Sequence, residues 1–512
     1  MKKYIPLIIL LLLASPLYLI KLDSIPPGFY LDEASIGYNT YSILQTAKDE
    51  YGQTLPIAFR LFGSYSPPLF IYLLVPFIKL IGLTVFTIRL PSAIMAITTG
   101  LIVFLLAKKL KINPYLSAIL FLISPWNIFF GRIGYEIYLG FFLFCLSSLL
   151  FYSSLKNQKL IIPAYLVLSL SAYSSHPQKI LAPIFLFLFL VIFKKSLHRQ
   201  HLTGLLLCVI TQIPNLYLLG TPAFWVKTGL FSSSKTINSL IFDKLSQMST
   251  YLSPRSLFFL PDPDPQRSIP ELSVFYPWMV FPYITGLYLL WSKLKKPQTK
   301  YILILLFSSI IPASLANDPF STQRNLQALL PLILIIGLGT QTLLKKLPHL
   351  TLLPILAFSL LTLWRSYFVL FPSERATFWN HGHRQLAQII RQYPDTPIII
   401  DNQKPSYITL AFFLQTPPSK FQKQNFIVSN YYHQTKFDQT RQIDNIEFRS
   451  IHWKTDIYKE QILIGSQLAI SPDQATEHCL EPIFTIKNPQ NKISFQGYKT
   501  NPTQKIAQKD KI

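Results

Sequence analysis

Two adjacent carboxylates, Asp32 and Glu33, stand inside the stretch Pro26-Pro27-Gly28-Phe29-Tyr30-Leu31-Asp32-Glu33-Ala34-Ser35-Ile36-Gly37-Tyr38, just after an apolar N-terminal run. A carboxylate can take the proton of an attacking hydroxyl, and a like charge beside it raises the basicity of the pair. The pair stands out because the chain has only 23 Asp+Glu among 512 residues. The same residues could equally cap a helix, Asp32 as N-cap and Glu33 against the positive end of its dipole. Spacing alone leaves both readings open.

The elements that position the pair are apolar. Half of the residues are hydrophobic (50%), only 14% are charged, and the mean hydropathy is +0.34. This places the chain in a membrane rather than among soluble proteins. The net charge of +24 comes as short clusters between apolar runs, which argues against nucleic acid as a partner and for topology signals. Cys145, Cys208 and Cys479 provide neither a disulfide framework nor a cysteine metal site. The start resembles a signal peptide, but no clear small-x-small cleavage site precedes Lys21, and an uncleaved first span is expected.

Apolar runs begin near Tyr4, Pro91, Pro114, Tyr138, Leu160, Ile180, Leu202, Phe275, Tyr301, Asn325 and Thr351, which gives about eleven transmembrane helices of roughly 17 to 25 residues. Basic clusters at Lys2/Lys3, Lys108/Lys109/Lys111, Lys156/Lys159, Lys194/Lys195/Arg199, Lys293/Lys295/Lys296/Lys300 and Lys345/Lys346 fall in alternate loops, which the positive-inside rule puts in the cytoplasm. Counting residues 67–83 as a span would reverse every later loop. That segment is therefore read as a helix lying in the outer interface. The first outer loop then covers 22–90, with an amphipathic helix over Glu33 to Ala47, and a long outer loop covers 221–275. After the last span, near Phe368, short β-prone runs at Pro397 to Ile400, Phe426 to Val428 and Gln461 to Ile464, with a helix at Arg384 to Arg391, predict a small α/β domain over 370–500. An odd span count puts it outside the cytoplasm, and 501–512 reads as a flexible tail.

The first loop carries a resemblance. Pro26 to Asn39, Asp49-Glu50-Tyr51-Gly52, Phe62-Gly63-Ser64-Tyr65-Ser66-Pro67-Pro68-Leu69 and Ile88-Arg89-Leu90-Pro91-Ser92-Ala93 resemble, in order, the bacterial relatives of protein O-mannosyltransferases and of the lipid A aminoarabinose transferase, which are GT-C-type enzymes. Further matches run from Ser124-Pro125-Trp126 through Arg132 to Glu136, and on through Ser171-Ala172-Tyr173, Ser253-Pro254-Arg255, Leu315 to Asp318, and Trp379 with Gly382. The resemblance implies a GT-C-like, polytopic α-helical membrane protein of the plasma membrane, a polyprenyl-phosphate-linked sugar donor, an acidic catalytic residue in the first outer loop, and inverting transfer outside the cytoplasm.

Carried onto this chain, the resemblance makes Asp32 the base, with Glu33 holding the acceptor or tuning that base. Arg89 would approach the donor phosphate, as a guanidinium can bind it bidentately, or else snorkel as a helix anchor. Arg132 and Glu136 would form a second half of the site, or a local salt bridge. Arg255, Arg267, Asp318 and Arg324 are candidates for headgroup contact, and Lys179 with His176 could line the same cavity; a solvated turn explains the last two as well. Relatives often carry a basic residue just before Pro-Pro-Leu, where this chain has Ser64 and Ser66, so Lys179, Arg255 or Arg324 would have to replace it. Asp32, Glu33 and Glu136 could hold a divalent ion through oxygen, but no His/Asp cluster has ligand spacing and no metal is predicted. The expected function is transfer of a hexosyl or pentosyl group, mannose being the sugar the resemblance suggests, to a glycan, lipid or protein hydroxyl. The alternative is a transporter or flippase for lipid-linked sugars, which predicts ionisable residues in mid-span and repeated halves; here the charges gather in the loops.

Overall fold

The computed structural model describes residues 5–225, 237–316, 320–345, 351–401, 407–422, 430–435 and 441–509. The apolar runs fold as helices: α1 (Ile5–Leu19), α2 (Leu31–Thr46), α3 (Leu69–Ile81), α4 (Val85–Lys109), α5 (Pro114–Leu122), α6 (Pro125–Gly131), α7 (Glu136–Ser154), α8 (Ile161–Ser171), α9 (His176–Ile192) and α10 (Gln200–Thr211). They continue with α11 (Ile213–Leu218), α12 (Pro222–Trp225), α13 (Ile237–Thr250), α14 (Val280–Ser292), α15 (Pro297–Leu315), α16 (Leu329–Leu343), α17 (Leu352–Leu363) and α18 (Phe371–Glu374). Exposed Leu12, Leu13, Leu202, Leu206, Phe281, Trp291, Phe358 and Leu361 give the bundle an apolar outer surface, which suits lipid rather than water. The chain is a polytopic helical membrane protein.

Among the described residues, five helices are long and apolar enough to cross a membrane, and α5 with α6, bent by 59° at their junction, makes a sixth. The other expected spans are present as shorter helices of 10–17 residues. Proline accounts for two of the breaks. Pro125 opens α6 and Pro214 falls in the first turn of α11, and a proline ring removes the N–H that would continue the preceding helix. Segment 67–83 forms α3, 13 residues long, or about 20 Å at 1.5 Å per residue, short of a hydrocarbon core of roughly 30 Å. Small residues bring helices close: a Cβ on Gly339 would lie 1.8 Å from the Pro282 carbonyl oxygen, and one on Gly286 2.1 Å from that of Ile335, so α14 and α16 pack nearly backbone to backbone.

The expected amphipathic helix over Glu33 to Ala47 is corrected in kind. α2 is buried without interruption from Glu33 to Thr40, because α3 and α4 cover one side and the C-terminal unit covers another. That unit holds α19 (His383–Ile390), α20 (Tyr407–Leu414), α21 (Pro418–Gln422), α22 (Pro472–Glu477) and a six-stranded sheet. After a short hairpin in the first loop, β1 (Phe59–Leu61) with β2 (Ser64–Ser66), the sheet comprises β3 (Ile398–Asp401), β4 (Arg441–Ile443), β5 (Ile446–Phe448), β6 (Ile462–Gly465), β7 (Glu481–Lys487) and β8 (Ile493–Lys499). Its order is β4-β5-β3-β6-β8-β7, with β3 parallel to β5 and β6. The unbroken run Ile398-Ile399-Ile400 suits a central strand covered on both faces. The expected strand at Phe426 to Val428 lies outside the described residues. The presumed flexible tail is helical as α23 (Pro502–Lys509), tied down by Lys505 Nζ donating to the Glu477 carbonyl at 2.7 Å.

Candidate active site

The first loop is drawn in by its own backbone. A Cβ on Gly28 would meet the Trp379 carbonyl oxygen at 1.9 Å, so only glycine lets the segment before α19 pack here. Tyr30 N–H then donates to Glu33 Oε2 at 3.2 Å across the first turn of α2, a reach-back that fixes where the helix begins.

Glu33 points inward and is saturated. Fully buried, it accepts from Arg89 Nε at 2.9 Å, from Arg89 Nη2 at 3.0 Å and from Gly134 N–H at 2.7 Å. Arg89 is also fully buried, and its remaining donors go to the carbonyls of Leu22 (3.1 Å), Pro26 (3.2 Å) and Gly28 (2.6 Å). A guanidinium has five N–H donors, and all five are placed. The expectation that Arg89 meets a donor phosphate, and that Glu33 holds the acceptor, is therefore corrected: the two form a clamp that positions the loop.

Arg132 is corrected in the same way. Buried, it donates to the carbonyls of Leu17 (2.9 Å), Ile20 (2.7 Å) and Ile25 (3.1 Å) and lies 5.0 Å from the Phe368 ring centre. It satisfies carbonyls at the end of α1, a favourable place for a cation, instead of facing a ligand or pairing with Glu136.

Asp32, one residue before Glu33, turns the other way and is half-buried at the start of α2. It is a hydrogen-bond partner of the Tyr135 phenol; burial and the nearby carboxylates Glu136 and Asp32 push that phenol above its ordinary range, so it stays protonated. The Gln323 amide donates to the same phenol oxygen at 2.8 Å. Tyr135 and Glu136 then form one wall of a cavity of 260 Å³, opposite Ser175 and His176 of the α9 start, with Arg267, Gln323 and Arg324 closing it and Ile137, Ile180, Pro312 and Leu315 supplying an apolar side.

The sequence undervalued the stretch Pro261-Asp262-Pro263-Asp264-Pro265-Gln266-Arg267. Asp262, 4% exposed, accepts from the Thr322 N–H and hydroxyl, each at 2.8 Å, and lies 3.4 Å from Arg267 Nε. This ties the long loop to the turn that carries Gln323 and Arg324. The repeated Asp-Pro pattern was its only signal. His176 reaches the Tyr65 carbonyl at 2.8 Å beside the Ser64 to Ser66 strand. Lys179 stands 4.6 Å from the Phe224 ring centre and Arg255 is exposed; among the described residues neither lines this cavity. Asp318 lies outside the described residues. No group of three or more His, Cys, Asp or Glu among the described residues is placed to hold a metal.

A family model described as dolichyl-phosphate-mannose-protein mannosyltransferase matches residues 65–218. The structure of ArnT from Cupriavidus metallidurans bound to undecaprenyl phosphate superposes with a TM-score of 0.58 at 11% identity, covering 96% of this chain and 98% of that one. The fold is of the GT-C type. A second GT-C structure, the Archaeoglobus fulgidus oligosaccharyltransferase in its apo form, matches with a TM-score of 0.51 at 13% identity over 80% of this chain and 64% of that one. No curated protein matches by sequence. The chain thus resembles ArnT in fold over nearly its whole length, while the likeness to protein mannosyltransferases is one of sequence over residues 65–218.

Proposed function

We propose that this protein is a membrane glycosyltransferase that moves a hexosyl or pentosyl group from a polyprenyl-phosphate sugar to an acceptor hydroxyl, outside the cytoplasm and with inversion. The observation that carries the reading is the meeting of Asp32, Tyr135, Glu136 and Arg324 around or beside one cavity whose other side is apolar. An amphipathic donor needs such a site: apolar surface for its chain, a cation for its phosphate, and a carboxylate near its sugar.

Asp32 takes the proton of the acceptor hydroxyl, the acceptor oxygen bonds to the anomeric carbon, and the bond from that carbon to the phosphate oxygen breaks. Polyprenyl phosphate leaves, and Arg324 stabilises its growing charge. Tyr135 and Gln323 hold the carboxylate in place, while the Glu33–Arg89 clamp fixes the helix start that bears it. In this reading the protein sits in the plasma membrane with its N-terminus in the cytoplasm and the α/β unit outside, an orientation that the basic clusters in alternate loops support.

The test is turnover of polyprenyl-phosphate sugars by the purified protein in lipid. The native chain should release polyprenyl phosphate, and Asp32→Asn should fall by 100-fold or more, within the roughly 10²–10⁴ attributed to a general base, while still binding the carrier. Lipid-linked sugar crossing the bilayer without turnover, unaffected by Asp32→Asn, would replace the transferase with a flippase.

A further inference from the structure

We propose that a second cavity, where the end of α1 meets the start of α19, binds the headgroup of a phospholipid and selects a zwitterion bearing a primary amine. The site is independent of the transferase reading. Its volume is 280 Å³, and it shares no lining residue with the cavity beside Tyr135. Gly28 and Phe29 of the first loop form one wall; Asn380, Gly382, Arg384 and Gln385 of the C-terminal unit form another.

The position suits a lipid. The membrane elements reach this cavity by their ends: Asp23 follows α1, Val85 opens α4 and Pro372 lies in α18. Exposed apolar residues stand close by on each, Leu19 and Ile20 before Asp23, Phe86 after Val85 and Val369 before Pro372. A molecule whose headgroup fills the cavity therefore has lipid-facing surface beside it for its chains. Phe29 and Phe413, ring centres 5.8 Å apart, supply an apolar side, and the Arg384 guanidinium lies 5.7 Å from the Phe413 ring centre.

The charges say which headgroup. Asp23 and Arg384 are the charged side chains of the lining among the described residues, Oδ2 to Nη1 at 3.9 Å, and their side chains are 53% and 48% exposed. A pair that long and that wet contributes little to the fold, so both groups are open to a ligand. His381 adds no charge near neutral pH, because burial pulls its imidazole below its ordinary value. One cation beside one anion is the counterpart of a zwitterion. Laid head to tail along the pair, a headgroup sets its phosphate on Arg384, where a guanidinium can hold two oxygens, and its ammonium on Asp23, so that every charge has an opposite neighbour. Asn380 donates its amide nitrogen to the Phe29 carbonyl at 3.3 Å, which leaves its side-chain oxygen as a further acceptor for the ammonium. A trimethylated amine has no N–H to give these acceptors. An anionic headgroup without the amine leaves Asp23 facing a second negative charge.

The experiment titrates the full chain in detergent with phosphatidylethanolamine, phosphatidylcholine and phosphatidylglycerol of the same acyl chains, and with water-soluble phosphoethanolamine, and counts bound molecules by native mass spectrometry. Phosphatidylethanolamine should bind about tenfold tighter than the other two lipids, the scale of one charge-assisted hydrogen bond. Soluble phosphoethanolamine should bind about 100-fold more weakly than the lipid, for want of chains to bury. Asp23→Asn should bring phosphatidylethanolamine down to the phosphatidylcholine level, and Asp23→Glu, which keeps the carboxylate, should retain the preference. Arg384→Gln should weaken both lipids by a similar factor and keep their order. Equal binding of the three lipids, tighter binding of phosphatidylglycerol, or a preference that survives Asp23→Asn would overturn the proposal. Soluble phosphoethanolamine binding as tightly as the lipid would overturn the lipid as its source.

Discussion

Glu33 and Arg89 meet in full burial, Oε1 to Nε at 2.9 Å, across 56 residues of chain. Breaking a buried pair leaves one charge uncompensated, which costs about 3–5 kcal/mol, while replacing both with apolar groups is far milder. Glu33→Gln or Arg89→Met should therefore lower unfolding stability in detergent severely, and Glu33→Leu with Arg89→Met should recover part of the loss. Thermal unfolding of the four proteins decides it; equal stability of a single variant and the native chain would remove the clamp.

Arg132→Gln should destabilise by about 1.5–3 kcal/mol, the range for hydrogen bonds to a charged group, because the carbonyls of Leu17, Ile20 and Ile25 lose their donor. Carrier affinity, measured on the folded fraction, should stay within a factor of two of the native value by this reading.

Arg324→Ala should behave in the opposite way. With the cation gone from the cavity wall, KM for the polyprenyl-phosphate donor should rise about tenfold or more, as expected for a lost charge-assisted contact, an effect larger than any on unfolding. Arg255→Ala, at an exposed position, should leave both alone.

Gly28→Ala places a methyl 1.9 Å from the Trp379 carbonyl oxygen, so the backbone has to shift. Overpacking of this kind costs about 1–3 kcal/mol. The shift moves the helix start that carries Asp32, so turnover should fall more than stability does. Steady-state kinetics beside a melting curve separates the two.

In the C-terminal unit, burial pushes the Asp456 carboxyl up, but the Arg449 fork at 2.8 and 3.0 Å and the His452 N–H pull it further down, to a net value below its ordinary 3.8. A lowered folded-state value gives stability that is present above pH 3.8 and fades as pH falls below it. Asp456→Asn should therefore flatten the acid limb of that unit's unfolding, read by hydrogen exchange of β5 and β6.

The helical runs were legible because apolar runs are local signals, and the Asp32 to Glu33 pair stands out as a candidate because acidic residues are rare in this chain. The roles of Arg89 and Arg132 were not legible. An arginine beside a span looks alike whether it faces a phosphate or fills in for bare backbone, and which carbonyls lack partners in the turn from Leu17 to Gly28 is settled only when the chain is folded. α2 misled for a related reason. Its polar residues Asn39, Thr40 and Ser42 look like a wet face, yet they are buried and bonded inside, as when the Asn39 amide nitrogen donates to the Ser35 carbonyl at 3.0 Å. Two of the three foreseen strand runs, at Pro397 to Ile400 and Gln461 to Ile464, became the central parallel strands β3 and β6, while β4, β5, β7 and β8 were missed because short polar hairpin strands carry little apolar pattern.

Phe29 packs on Phe412 with ring centres 4.5 Å apart, Tyr38 donates to the Thr416 carbonyl at 3.1 Å, and Tyr407 donates to buried Glu50 at 3.3 Å. The C-terminal unit is thus the lid of the helix whose first turn bears Asp32, not a separate bead on a string. A chain cut after the last membrane helix would leave Glu50 and the outer side of α2 bare to water. A unit borrowed from a relative would have to bring its own matching phenol and phenyl rings, so the two halves can change only in step with one another.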